Sequence, residues 1–406
     1  MRRLFALGRN VTAILASCRL ILVYLHQGFQ FERRVSMGTT NGLAESFAQA
    51  AHVVTGSSKR SMRMLTQAFD EMDVDQASDM YGKGEVIEAF QTKLAKLLGK
   101  EAAVFFPSGT MAQQIALRIW CDRKGIRKAA YHPLCHLEIH EEKGLHELHG
   151  IEPVLLGDAD RLITLQDVQE MGNVGCLLLE LPQREIGGQL PPFEELEAIS
   201  AWCRENGIPL HLDGARLFEI VPYYGRSEAE ICRLFDSVYV SFYKGLGGIA
   251  GAVLAGDTQL AAEAKVWKRR HGGDLISLYP YIVSSDYYLD LRRPRMSRYY
   301  EGAKDLARRL NGVTGLRTVP ETPVSNMFHL HAELPAQQAA DLFEQAARET
   351  GVALVGYVKE KTATSCVSEL SIGDRYEDVP PEKLEQALSL LDLLFREAGC
   401  EASESN

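Results

Sequence analysis

The chain has 406 residues, 46% hydrophobic and 24% charged, which suits a soluble globular protein with one large core and a smaller domain. A net charge of −10 and a pI near 5.6 exclude nucleic acid as the main partner. No apolar run reaches the roughly 18–20 residues that span a bilayer, and eight cysteines without a C-x-x-C pair fit the reduced thiols of a cytoplasmic enzyme better than a disulfide framework.

In chain order, the first 31 residues carry Arg2, Arg3, Arg9 and Arg19 but no Asp or Glu. With apolar stretches at 11–17 and 20–25 and the box Leu15-Ala-Ser-Cys18, residues 1–36 have two readings. They are a presequence or short signal, or a dispensable tail with Met37 as the true start. Residues 36–42 read as a linker, and 1–55 as an N-terminal extension. Val86, Phe90, Leu94, Leu97 and Leu98 recur at helical spacing over 85–98, and Gly99 stops the helix. A strand at 102–106 ends in Pro107-Ser-Gly-Thr110 and runs into a helix through Trp120. Strands follow at 175–181, 209–212, 237–242 and 250–255, with a helix at 194–206. This alternation predicts an α/β large domain over 56–295, with a mainly parallel sheet covered by helices on both faces. Ligands of such sheets collect at the carboxyl ends of the strands, where Ser108, Gln183, Asp213 and Lys244 all fall. Near residue 295 the texture changes, and helices at 301–310, 334–350 and 381–398 with strands at 324–331, 352–358 and 367–372 predict a small α+β domain over 296–406.

Lys244 lies in Ser241-Phe-Tyr-Lys-Gly-Leu-Gly-Gly, at the end of an apolar, β-branched run, and Asp213 lies 31 residues upstream in His211-Leu-Asp-Gly-Ala-Arg216. Together they suggest pyridoxal phosphate chemistry: a lysine for a Schiff base, and an aspartate to keep a pyridine nitrogen protonated. Alone, a strand-end lysine is ordinarily a solvated one, and an aspartate before glycine commonly closes a turn. Ser108-Gly109-Thr110, between strand and helix, offers free backbone amides and two hydroxyls to a phosphate, or is a plain serine N-cap. Arg216 either supports Asp213 or binds a substrate carboxylate bidentately. His132, His136, His140, His146 and His149 invite a zinc reading. The absence of a cysteine pair and the solvated Glu141-Glu142 face speak against it, and no metal is expected; one imidazole is instead read as stacking on a cofactor ring or acting as a base.

Four segments, Asp79-Met-Tyr81-Gly-Lys-Gly, Phe105-Phe-Pro-Ser-Gly-Thr-Met-Ala, His211-Leu-Asp-Gly-Ala-Arg216 and Ser241-Phe-Tyr-Lys244-Gly-Leu-Gly, resemble the threonine aldolase and β-eliminating lyase family in order and spacing, from about 81 to 273. The resemblance implies a fold-type I, aspartate-aminotransferase-like architecture with a seven-stranded sheet. It implies that Lys244 forms the internal aldimine, Asp213 holds the pyridine nitrogen and His136 stacks on the ring. Ser108, Gly109 and Thr110 would hold the phosphate with Ser241 nearby, and Tyr81 would approach it from a partner subunit of a homodimer or homotetramer. Four family features lack a match, one of them the arginine usual after the glycine-rich His271-Gly-Gly segment. Lys59-Arg-Ser61 poorly replaces an N-terminal Arg-Ser-Asp-Thr, and Leu181-Pro-Gln183-Arg184 stands where a second histidine is usual. Ser368-Glu-Leu-Ser-Ile-Gly occupies the region of an arginine that grips the substrate carboxylate. Either Arg184 or Arg216 takes that task, or the substrate differs.

The expected activity is cleavage of L-threonine, allo-threonine or another β-hydroxy-α-amino acid to glycine and an aldehyde, through an external aldimine and quinonoid. The alternatives are β-elimination on the same cofactor, and a non-catalytic relative of the fold.

Overall fold

The computed structural model describes residues 41–73 and 75–404. The presequence or signal read in residues 1–36 lies outside them. The strands, in chain order, are β1 (His52–Val53), β2 (Ala102–Phe106), β3 (Lys128–Tyr131), β4 (Glu152–Leu155), β5 (Cys176–Glu180), β6 (Leu210–Asp213), β7 (Ser237–Ser241), β8 (Ala252–Gly256), β9 (Leu316–Val319), β10 (Met327–Ala332), β11 (Val352–Ala353), β12 (Lys359–Thr362) and β13 (Ser365–Ser371).

Seven of these form the central sheet, in the order β2-β8-β7-β6-β5-β3-β4. β8 alone runs against its neighbours, antiparallel to β2 and β7, and the other pairs are parallel. The sequence explains why both faces are covered. Along β7, Val238 and Val240 enter the core on one face, and Tyr239 the core on the other. β8 repeats this with Val253 and Ala255 against Ala252 and Leu254. A side-chain period of two with two buried faces reads as an unbroken apolar run. A charged residue is therefore tolerated only where the strand leaves the sheet, and Glu180 and Asp213 are the last residues of β5 and β6. Shortening a fully buried member such as Leu212 to alanine would cost about 2–5 kcal/mol.

A second, antiparallel sheet has the order β12-β13-β10-β9. The helices Met296–Leu310, Ala336–Thr350 and Pro381–Glu404 share a separate apolar core with it. The first of these helices joins the two cores: Met296 and Tyr299 belong to the large one, Ala303 and Leu306 to the small one. Residues 41–55 differ from a bare extension. The helix Asn41–Gln49 buries Leu43 in the small core, and β1 pairs parallel with β11. The strand expected at 352–358 is only two residues long there, and β12 starts afresh at Lys359.

Candidate active site

The carboxyl ends of β2, β3, β5, β6 and β7 open on one edge of the sheet. The helix Gly109–Lys124 leaves the end of β2, capped by Ser108, whose hydroxyl accepts the Met111 N–H at 3.4 Å. Among the described residues the N–H groups of Gly109 and Thr110 have no protein acceptor, as expected for a first helical turn, which suits an anion. A Cβ on Gly109 would collide with the hydroxyl of the buried Tyr239, so only glycine lets the turn approach β7 this closely.

Asp213 is 2% exposed and tightly held. One carboxylate oxygen accepts the Ala215 N–H at 3.0 Å, the other the Gln113 side-chain amide at 2.5 Å. The Gln113 oxygen lies 3.3 Å from His211 Nε2, and His211 Nδ1 lies 2.7 Å from Ser237 Oγ, which accepts Trp120 Nε1–H at 2.8 Å. Burial holds the fully enclosed His211 down at about 4, so the ring is neutral. A neutral ring facing the glutamine oxygen carries its proton on Nε2, and Ser237 must then donate to Nδ1. The donors thus run in one direction, Ser237 to His211 to Gln113 to Asp213, and all support a carboxylate.

Lys244 follows β7 by three residues. Burial lowers its pKa below that of an ordinary lysine; Asp213 opposes this and Arg216 reinforces it. Its loop is tied down by the Gly245 N–H, which donates to Glu219 Oε1 at 2.9 Å. His136 begins a one-turn helix after β3, and its N–H donates to Glu180 at 3.0 Å. His136 Nδ1 lies 3.2 Å from the buried Glu141, whose other oxygen accepts Gln114 Nε2–H at 2.8 Å. The bond to Glu141 raises the His136 pKa above 6.5 despite burial, and Asp213 adds to the rise. Burial, then the charge of Asp213, pushes Glu180 up to about 7. β5, β6 and β7 lie side by side and parallel, so Glu180 and Asp213 end next to each other, Lys244 follows β7 on the same edge, and the His136 N–H joins His136 to Glu180.

The other expected residues are placed less simply. Ser241 is buried and its hydroxyl donates to the Ala215 carbonyl at 2.8 Å, so it fastens β7 to the Asp213 turn. Gln183 donates to the Leu134 carbonyl at 3.1 Å and acts as a loop tie. Tyr81 sits on a surface loop at φ +49°, half-exposed, outside the hydrogen bonds of the site. Its loop nevertheless lies against Asp274, and Gly273 packs on Met111 beside the helix N-terminus. Arg184 and Arg216 both reach Glu369 of β13, at 2.6 and 3.1 Å. Three of the five histidines are engaged separately, His132 with the Arg161 carbonyl, His140 with Glu185 and His146 with Glu147, while the His136 and His140 rings lie 5.1 Å apart. Among the described residues, no three metal-binding side chains converge.

Arg184 and Glu369 also line a cavity of about 550 Å³ with Leu134, His329 and Tyr357. A cavity of similar size, about 560 Å³, lies elsewhere along the helices Glu85–Leu97 and Tyr279–Arg292. Its one lysine is engaged by two of its carboxylates, Lys93 lying 2.5 Å from Asp286 and 2.7 Å from Asp290. The chemistry therefore belongs to the strand-end site. A buried amine, an oriented carboxylate, an imidazole and a free helix N-terminus fit an aromatic aldehyde that carries an anionic tail.

Gln113, Glu141, Glu180, Glu219 and Glu369 were not anticipated from sequence. A signal existed for two of them. Gln113 interrupts an otherwise apolar helix face, and Glu180 ends a Cys-Leu-Leu-Leu run as Asp213 ends its own strand.

The chain is also similar to known proteins. A Listeria monocytogenes structure, provisionally assigned as an L-allo-threonine aldolase, is 56% identical, with a TM-score of 0.87, covering 88% of this chain and 100% of that one. An Exiguobacterium structure, provisionally assigned as an aromatic amino acid beta-eliminating lyase/threonine aldolase, is 55% identical, with a TM-score of 0.86, over 87% of this chain and 100% of that one. The low-specificity L-threonine aldolase 1 of Arabidopsis thaliana is 26% identical over 302 residues, 72% of this chain and 84% of its own length. The profile of the beta-eliminating lyase family matches residues 55–333, well over half of the chain, and the chain belongs to that family.

Proposed function

We propose that this chain is a pyridoxal phosphate-dependent aldolase that cleaves L-threonine, L-allo-threonine or a related β-hydroxy-α-amino acid to glycine and an aldehyde. The observation that carries the reading is that Asp213 ends β6 while His136 and Lys244 follow β3 and β7, three parallel strands whose carboxyl ends open on one edge of the sheet. When bound, the cofactor supplies a sink for the electron pair released as the Cα–Cβ bond breaks. Lys244, whose pKa burial lowers from that of an ordinary lysine, provides the covalent anchor at Nζ. Asp213 holds a proton on the pyridine nitrogen, and the line from Ser237 through His211 and Gln113 keeps its carboxylate fixed. The amides of Gly109 and Thr110, with the Ser108 cap, receive the phosphate. His136 keeps Nδ1 on Glu141, so Nε2 is the atom that stacks against the ring or takes the β-hydroxyl proton. Arg216, with Arg184 beside it, anchors the substrate carboxylate.

Met80, Tyr81, Leu275 and Ile276 are exposed apolar residues, 40–62% accessible, on neighbouring loops. They support assembly into a homodimer or homotetramer through the rim of the site. The cysteines Cys121, Cys135, Cys176, Cys203, Cys232 and Cys366 are free and buried, which supports a cytoplasmic setting. Among the described residues, no helix is long and apolar enough to cross a membrane.

The test is a product assay on cofactor-loaded protein with L-threonine and L-allo-threonine. Glycine with acetaldehyde supports the aldolase reading. Ammonia with a keto acid replaces it with β-elimination, and no turnover of either kind overturns both.

A further inference from the structure

β13 alternates buried and half-buried residues, so Val367, Glu369 and Ser371 share one face. That face meets Arg216. The guanidinium is 10% exposed; Nη1 donates to Glu219 at 2.9 Å and to Ser371 Oγ at 3.3 Å, and Nη2 donates to Glu369 Oε1 at 3.1 Å. Nε is buried and has no acceptor. In a guanidinium, Nε–H and one Nη2–H lie parallel on one edge, as a fork that matches both oxygens of a carboxylate. Here Nη2 donates to Glu369 and the neighbouring Nε–H has no protein acceptor, although an unpaired buried donor is unfavourable. Glu369 has a second place to go, because its other oxygen already accepts Arg184 Nε–H at 2.6 Å. Burial would raise its pKa, but Arg216 and Arg184 outweigh burial and keep it ionised.

We propose that Glu369 is a specificity-determining residue that occupies half of the Arg216 fork, and that the α-carboxylate of the substrate takes the whole fork by displacing Glu369 onto Arg184. The inference rests on the aldolase reading above and deepens its carboxylate site. Both guanidiniums are already neutralised: Glu219, Glu185 and Glu369 surround Arg216 and Arg184. A simple monocarboxylate competes poorly against that arrangement. An amino acid, held also through its amine at the Lys244 side, gains enough to displace Glu369. Glu369 thus acts through Arg216 to reject bare carboxylates.

The experiment titrates glycine, and separately acetate, into cofactor-loaded wild type and Glu369→Gln. Binding is followed by visible absorbance and by calorimetry. A neutral amide competes more weakly for Nη2 and removes a like charge, so glycine should bind about tenfold tighter in the variant, with acetate tightening at least as much. The KM for the hydroxy amino acid should fall in parallel. If Glu369 only braces Arg216, all three move the other way, and equal or weaker glycine binding overturns the inference while leaving the aldolase reading intact. If wild type binds no glycine by either readout, the aldolase reading fails and takes the inference with it. Should Glu369→Gln not fold, Glu369→Asp carries the test. Its shorter arm keeps the charge but cannot bridge both arginines, so glycine tightens, and weaker glycine binding again overturns the inference.

Discussion

Gln113 is the hinge of the polar line behind Asp213, and replacing it with leucine tests that line with little change of volume. Two interactions are lost. Asp213 loses its 2.5 Å donor, a bond to a charged group worth about 1.5–3 kcal/mol. His211 Nε2–H, fully buried, loses its acceptor, at a further cost of about 1–3 kcal/mol. Together the variant should be less stable by roughly 2.5–6 kcal/mol, a large part of the roughly 5–15 kcal/mol typical of a folded protein. Equilibrium urea unfolding of the cofactor-free protein, at unchanged slope, measures this. The cycle with His211→Phe isolates the second part: with no Nε2–H to strand, Gln113→Leu should cost about 1–3 kcal/mol less. Cofactor affinity should fall as well, because Asp213 is then held only by the Ala215 N–H. A Gln113→Leu protein within about 1 kcal/mol of wild type, or one with the same cost in both backgrounds, would refute the directed line.

Other consequences follow from the same geometry. The Glu141 bond is the main reason His136 sits above 6.5, and His136 acts as a base only when neutral, so activity should rise with pH through that elevated pKa. Glu141→Gln should move this acid limb to lower pH, which a kcat/KM profile reads directly. Gly109→Ala forces a methyl into the rigid, buried Tyr239 hydroxyl, so it should destabilise by about 1–3 kcal/mol and weaken cofactor binding, as followed by spectral titration. Glu180 is an acid raised to about 7 in the fold, so the folded state binds its proton more tightly than the unfolded chain, whose pKa is near 4.5. Its contribution to the stability of the cofactor-free protein is therefore lost between those values as pH rises. In Glu180→Gln the fall should flatten, so the difference between the two proteins grows from pH 4.5 to pH 7; parallel curves would contradict the assignment.

How much of this was legible in the sequence depended on where each residue stands in its element. Lys244 and Asp213 stood out as a pair, because each comes at or just past the end of an apolar run of a strand buried on both faces, at a spacing and order that suit one cofactor. Ser108, Gly109 and Thr110 were legible for a similar reason, as a polar break between strand and helix. Glu180 obeys the same rule at the end of β5, but it stands alone there, with no glycine, arginine or lysine directly beside it in sequence to mark a site. Glu369 was of another kind. It lies mid-strand in β13, and only the packing of the antiparallel sheet against the Asp213–Arg216 turn brings it to Arg216. The sequence shows an arginine missing there; it does not show that a carboxylate stands in its place between two other arginines. Ser241 has a second role that the sequence does not show, because its hydroxyl donates to the Ala215 carbonyl across from the neighbouring strand end. The helix Asn41–Gln49 went unread because Leu43 and Phe47 mark barely two turns, and their partners on Ala336–Thr350 lie almost 300 residues away.

The central claim is that Lys244 carries the cofactor. The most direct measurement is borohydride reduction of the cofactor-loaded protein, followed by peptide mapping by mass spectrometry. The account predicts the cofactor mass on the peptide containing Lys244, and its absence from that peptide in Lys244→Ala. Label on another lysine, such as the buried Lys268, or no label at all, would contradict it.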